Sequence, residues 1–191
     1  MNVCVYGGSS TKLDPSYIEA TELLGEMLVK AGHSLVYGAG GAGLMGAVAR
    51  GVKRAGGYIV GVVPRFLQVD GILYDGCDEM IFTDTMRERK QIMEDRSDAF
   101  VITPGGIGTY EEFFEIFTLK QLGQLNEPII IYNLNGYYDG MLSMMQHTVD
   151  ENFMRDASLE LVTVVTTQQE VIDELAKPEE DKVDIRETKF V

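Results

Sequence analysis

Basic residues are scarce in this chain: 16 Lys and Arg stand against 30 Asp and Glu, a formal net charge of -14. That deficit excludes nucleic acid and anionic membranes as general partners, since both attract proteins through positive charge. Tryptophan is absent, and the two histidines, His33 and His147, lie far apart without Cys or His at ligand spacing. No metal is expected from them. The two cysteines, Cys4 and Cys77, form no CxxC pattern. They predict a reduced cytoplasmic protein with buried thiols, not a disulfide scaffold. Apolar runs are of strand length, too short for a membrane-crossing helix. The opening Met1-Asn2-Val3-Cys4-Val5-Tyr6-Gly7-Gly8 lacks a basic region and a long apolar core. It is expected to be the first strand rather than a signal peptide.

What is abundant is alternation. Strand-like segments fall at 2–6, 34–38, 58–63, 79–82, 98–102, 128–132 and 161–165, and helix-like ones at 15–31, 43–55, 84–96, 109–122, 137–150 and 168–176. Asp14 suits an N-cap, Pro15 the first helical position and Gly32 the C-terminal cap of the first helix. Tyr58-Ile59-Val60-Gly61-Val62-Val63 is apolar on both faces, as in a parallel strand covered on each side. The expectation is a doubly wound, Rossmann-like α/β fold, a mostly parallel sheet with helices on both faces. One domain, 1–177, accounts for it, and 178–191 is expected to be a polar, solvated C-terminal extension.

In such a sheet ligands bind at the carboxyl ends of strands. The loop following 98–102 reads Thr103-Pro104-Gly105-Gly106-Ile107-Gly108-Thr109-Tyr110-Glu111-Glu112. Its glycines let the backbone approach a ligand, and the helix that follows adds partial positive charge, which together make a phosphate cradle. Glu111 and Glu112 come directly after it, at the expected second and third helical positions. Acids beside a phosphate cradle point to chemistry next to the phosphate.

Gly38, Gly40 and Gly43 satisfy GxGxxG between a strand and a helix. A dinucleotide site also needs an acid at the end of the next strand, and Val62-Val63-Pro64-Arg65 offers none. Close approach to a ligand, or close packing at Gly43 and Gly46, are the better uses of these glycines. Ser9 and Ser10 have no Ser-His-Asp order around them. Met141, Met144 and Met145 have helical spacing and suit core or subunit contacts.

Four segments taken together resemble the LONELY GUY family of cytokinin riboside 5'-monophosphate phosphoribohydrolases, often mislabelled lysine decarboxylases. They are Gly7-Gly8-Ser9-Ser10, Gly43-Leu44-Met45-Gly46, Met86-Arg87-Glu88-Arg89-Lys90 and the ungapped Pro104 to Glu112 signature. Arg87, where many members carry His, and the looser Gly38-Ala39-Gly40-Gly41-Ala42 run are departures. The resemblance covers the chain to about residue 175. It implies cleavage of the N-glycosidic bond of a purine nucleoside 5'-monophosphate without a cofactor, by a homodimer or an assembly of dimers. It also implies that Arg89 and Glu112 are catalytic. Substrate would be bound by Gly8, Ser9, Gly43, Met86, Lys90, Gly105, Gly106, Ile107, Gly108, Thr109, Tyr110 and Glu111.

Glycosidic cleavage places positive charge on the ribose, so a carboxylate such as Glu112 suits a stabiliser or base. A capping box, Thr109-x-x-Glu112, is the competing reading. Arg89, always charged, suits bidentate contacts to phosphate or carboxylate, and Lys90 a point charge for an anionic substrate. Both could instead lie on a solvated face, paired with Glu88, Glu94 or Asp95. A non-catalytic nucleotide-binding or carrier protein on the same fold is the functional alternative. Lysine decarboxylation would need a cofactor-bound lysine, and no lysine occupies a recognisable site of that kind.

Overall fold

The computed structural model describes residues 1–178 and 184–189. Strands β1 (Asn2–Tyr6), β2 (Ser34–Tyr37), β3 (Ile59–Pro64), β4 (Glu79–Thr83), β5 (Ala99–Ile102), β6 (Ile129–Tyr132) and β7 (Thr163–Val165) form one sheet. Helices α1 (Pro15–Lys30), α2 (Gly43–Arg54), α3 (Met86–Asp95), α4 (Ile107–Gln121), α5 (Asp139–Asp150) and α6 (Gln168–Leu175) alternate with them. The sheet order is β4-β3-β2-β1-β5-β6-β7, and every pairing is parallel. The chain builds outward from β1 to β4, then returns to add β5 on the other side of β1. The switch point therefore lies between β1 and β5, held by pairs such as Val5 with Val101 and Tyr6 with Ile102.

Strand alternation divides the core in two. Val3 and Val5 face Leu24 and Leu28 of α1, Val48 and Val52 of α2, and Val171 and Leu175 of α6. Cys4 and Tyr6 face the other layer, with Met93 of α3, Phe113, Ile116 and Phe117 of α4, and Met141 and Met145 of α5. Every residue of β3 is buried, which explains its uninterrupted apolar sequence.

The helix after β5 opens two residues earlier than the sequence predicts. Gly106 is the extended N-cap residue of α4 and supplies no side-chain cap. Counting from Ile107, Glu111 and Glu112 stand a full turn inside the helix rather than at its second and third positions.

The extension also differs from expectation. Residues 179–183 and 190–191 of it lie outside the described residues, but Ile185–Thr188 forms a single turn, α7, with Thr188 buried. Thr188 Oγ1 donates to the Gln121 carbonyl (2.7 Å), and Ser158 Oγ donates to the Thr188 carbonyl (3.2 Å). Gln121 ends α4, so its carbonyl has no helical partner and the threonine hydroxyl supplies one. That donor is why this polar stretch docks instead of remaining solvated.

Candidate active site

The loops after β1 and β5 meet at the switch point. Gly8 N donates to the Pro104 carbonyl (3.0 Å), and the Gly8 carbonyl accepts from Leu44 N (2.8 Å) at the start of α2. Gly43 makes this junction possible: its φ is +58°, and a Cβ there would lie 2.4 Å from the Gly8 oxygen. Its role is to seat one loop against another. A cavity of about 660 Å³ opens over the junction, with Gly8, Ser9, Met86, Arg89, Gly106, Ile107, Gly108, Thr109 and Glu112 in its wall. At Gly106 and Gly108 an added Cβ would meet nothing within 4 Å. The uncapped start of α4 therefore presents its opening N–H groups, which lack intrahelical acceptors, to open space.

Arg89 and Glu112 arrive from α3 and α4. Arg89 Nη1 donates to Glu112 Oε1 at 2.7 Å, and Arg89 Nε donates to the Val62 carbonyl at 3.2 Å. Both side chains are nearly buried, at 8% and 10% exposure. Burial pushes the Glu112 carboxyl above the ordinary glutamate range, and the Arg89 charge and hydrogen bond pull it back in part. The guanidinium has room only because residue 38 is glycine, since a Cβ there would stand 2.0 Å from Arg89 Nη2. The capping-box reading does not describe this carboxylate: Thr109 is inside the helix and Glu112 pairs with Arg89 instead.

Five of the expected site residues do not line the cavity: Gly43, Lys90, Gly105, Tyr110 and Glu111. Gly105 sits behind the loop, where a Cβ would meet Thr109 Oγ1 at 2.1 Å. Lys90, expected at an anionic substrate, instead pairs with Glu111 and with Glu115 (2.5 Å). One helical step past Arg89 turns it about 100° away, so it bridges α3 to α4 outside the crevice. Glu111 is its partner there, and Tyr110 packs edge-on against Tyr138. Among the described residues no lysine lines the cavity. Arg87 is exposed, outside the wall.

Sequence reasoning missed the apolar side of the cavity: Met45, Val63, Leu67, Ile72 and Leu73. Residues 65–78 fold back from β3 over the second glycine loop. Leu73 bridges to Gly40, Gly41 N donates to the Ile72 carbonyl (2.8 Å), and Tyr74 N donates to the Ala39 carbonyl (2.9 Å). This stretch has neither helical nor strand periodicity, so nothing in its pattern placed it at the site. A separate cavity of about 460 Å³ lies at the opposite end of the sheet, beside Asp98, Glu127 and Glu174.

A parallel sheet with a phosphate-type cradle and a buried Arg–Glu pair at its switch point defines a nucleotide-directed Rossmann-like protein. Comparison with known proteins narrows the class. Residues 45–175 match the family model described as "Possible lysine decarboxylase". A probable cytokinin riboside 5'-monophosphate phosphoribohydrolase of Oryza sativa subsp. japonica is 37% identical over 95% of this chain and 75% of its own. A cytokinin riboside 5'-monophosphate phosphoribohydrolase of Mycobacterium tuberculosis is 38% identical over 89% and 90%. The chain belongs to this family, the LONELY GUY proteins. Among solved structures, the molybdenum cofactor carrier protein of Chlamydomonas reinhardtii matches with a TM-score of 0.69 at 22% identity, covering 92% of this chain and 98% of that one. At that identity the likeness concerns the fold.

Proposed function

We propose that this protein hydrolyses the N-glycosidic bond of purine nucleoside 5'-monophosphates, giving free base and ribose 5-phosphate. The observation that carries the proposal is the Arg89–Glu112 pair in the wall of the cavity that receives the start of α4. The phosphate sits on the N–H groups at Gly106 to Thr109, and the base lies along the apolar wall of Met45, Val63 and Leu73. The ribose then falls beside Glu112. As the base departs, positive charge grows on the anomeric carbon, and the carboxylate stabilises it and orients water. Water's hydroxyl ends on that carbon, and its proton balances the one taken by the leaving base. Arg89 fixes the carboxylate and favours its ionised form.

The family relationship supports this reading, since the curated relatives carry the phosphoribohydrolase name. A carrier role on the same fold would not need a buried carboxylate facing the ligand. The proposal includes a homodimer, supported by Ile107 at 83% exposure beside the cavity and tested by sedimentation. It also includes a cytoplasmic setting, consistent with two unpaired cysteines. Among the described residues no helix is long and apolar enough to cross a membrane.

The test is incubation of purified protein with AMP, with N6-prenylated AMP and with adenosine, followed by chromatography of the products. Free base with ribose 5-phosphate is expected from the monophosphates, and far less from adenosine, because phosphate binding positions the sugar. Equal turnover of AMP and adenosine would overturn the phosphate-cradle reading. Release of inorganic phosphate with intact nucleoside would indicate a phosphatase.

A further inference from the structure

Three consecutive carbonyls of the cradle loop are each bound from outside the cavity. Tyr138 Oη donates to the Thr103 carbonyl at 2.7 Å, Gly8 N to the Pro104 carbonyl at 3.0 Å, and Tyr137 Oη to the Gly105 carbonyl at 2.6 Å. Both tyrosines come from the turn after β6. Asn135 and Gly136 there adopt φ of 55° and 72°, and Asn133 Oδ1 accepts from Tyr138 N at 2.7 Å. The Tyr137 ring is held edge-on by Tyr138 (5.1 Å) and Tyr17 (6.3 Å). Neither tyrosine lines the cavity.

The peptide bonds of the described residues are all trans, so each carbonyl points opposite to the N–H that follows it. Binding the Gly105 carbonyl on the far side therefore turns the Gly106 N–H toward the cavity. Binding the Thr103 carbonyl has no such effect, because residue 104 is proline and carries no N–H.

We propose that Tyr137 is a positioning residue for phosphate selectivity: its hydroxyl, through the Gly105 carbonyl, aims the Gly106 N–H at the phosphate of the substrate. The inference rests on the proposed phosphoribohydrolase reading and adds a determinant two shells from the ligand, on a separate loop. Tyr138 performs a different task, holding the strand end in place without aiming a donor.

The experiment compares Tyr137→Phe and Tyr138→Phe with the unaltered protein. Each is measured for kcat/KM on AMP and on adenosine, inhibition by inorganic phosphate, and Tm. Tyr137→Phe keeps the ring contacts and removes one hydroxyl. The AMP-to-adenosine ratio should fall about tenfold, the upper range for losing one neutral hydrogen bond. Inhibition by phosphate should weaken by a similar factor, with turnover of adenosine retained. Tyr138→Phe should lower Tm and leave that ratio unchanged. An unchanged ratio in Tyr137→Phe, or equal losses on AMP and adenosine, would overturn the inference while the phosphoribohydrolase reading stands. If the unaltered protein itself does not prefer AMP, that reading fails and takes this inference with it.

Discussion

Glu112 occupies a position where two chemical demands compete. Burial favours its neutral form, and Arg89 at 2.7 Å favours the carboxylate. Were it only a structural acceptor for Arg89, glutamine would serve nearly as well. Were its charge required at the ribose, Glu112→Gln should reduce kcat about 100-fold or more, the scale of removing one preorganised electrostatic group. The variant should keep its fold and its affinity for inorganic phosphate, because the start of α4 is untouched. The pH profile follows from the same balance. A carboxyl whose folded pKa is raised loses its charge at a higher pH than an ordinary glutamate, so turnover should fall on the acid side from above the usual glutamate value. Arg89→Ala removes a group that lowers this pKa and should move that acid limb further up. Gly38 gives an independent check on the pair. Gly38→Ala places a methyl where Nη2 now stands, and a displacement of that order should cost about 100-fold in kcat/KM. In an Arg89→Lys background, which lacks the branched end, the same alanine should cost much less. Additive losses would show that Gly38 acts elsewhere.

Between elements, α3 and α4 are joined by one lysine and several acids. Lys90 pairs with Glu111 and Glu115, and half-buried Glu94 lies close enough to feel them. Burial first, then the Glu115 charge, push the Glu94 carboxyl up to about 7, with Lys90 opposing. A raised carboxyl binds protons more tightly in the folded state, so stability is lost as pH climbs from the unfolded value toward 7. Glu94→Gln should therefore raise Tm at pH 8 and change it little near pH 4.5, a contrast readable by calorimetry. These helix contacts mark where the sequence stopped being legible. The strands, helices and cradle were readable because each depends on local periodicity or on glycine chemistry. Whether Lys90 faced substrate or Glu111 depends on helical phase, and phase shifts with the residue at which α4 begins. The Arg89–Lys90 pair looked alike in sequence, yet one helical step sends them to different surroundings. Residues 65–78 were unreadable for another reason: their hydrogen bonds go to Ala39, Gly40 and Gly41, partners distant in sequence.

Across the whole molecule, a net charge of -14 is an unfavourable background for an anionic substrate, so recognition has to be local. The cavity wall answers with backbone N–H groups and a single arginine already committed to Glu112. Helix α4 carries this division of labour along its length: Ile107 opens it at the cavity, and Gln121 closes it roughly 22 Å away by helical rise. At that far end Thr188 caps the last carbonyl and accepts from Ser158 in turn. Stability and catalysis should then separate cleanly between the two ends. Thr188→Val removes the buried donor while keeping the shape, leaving the Gln121 carbonyl unpaired, a loss of about 1–3 kcal/mol. In a chain of this size each kcal/mol lowers Tm by about 2–4 °C. KM for AMP and the AMP-to-adenosine ratio should not move, because no cradle group touches the tail. A Thr188→Val variant with normal Tm but altered KM would mean that the end of α4 communicates with its start, and the separation argued here would be wrong.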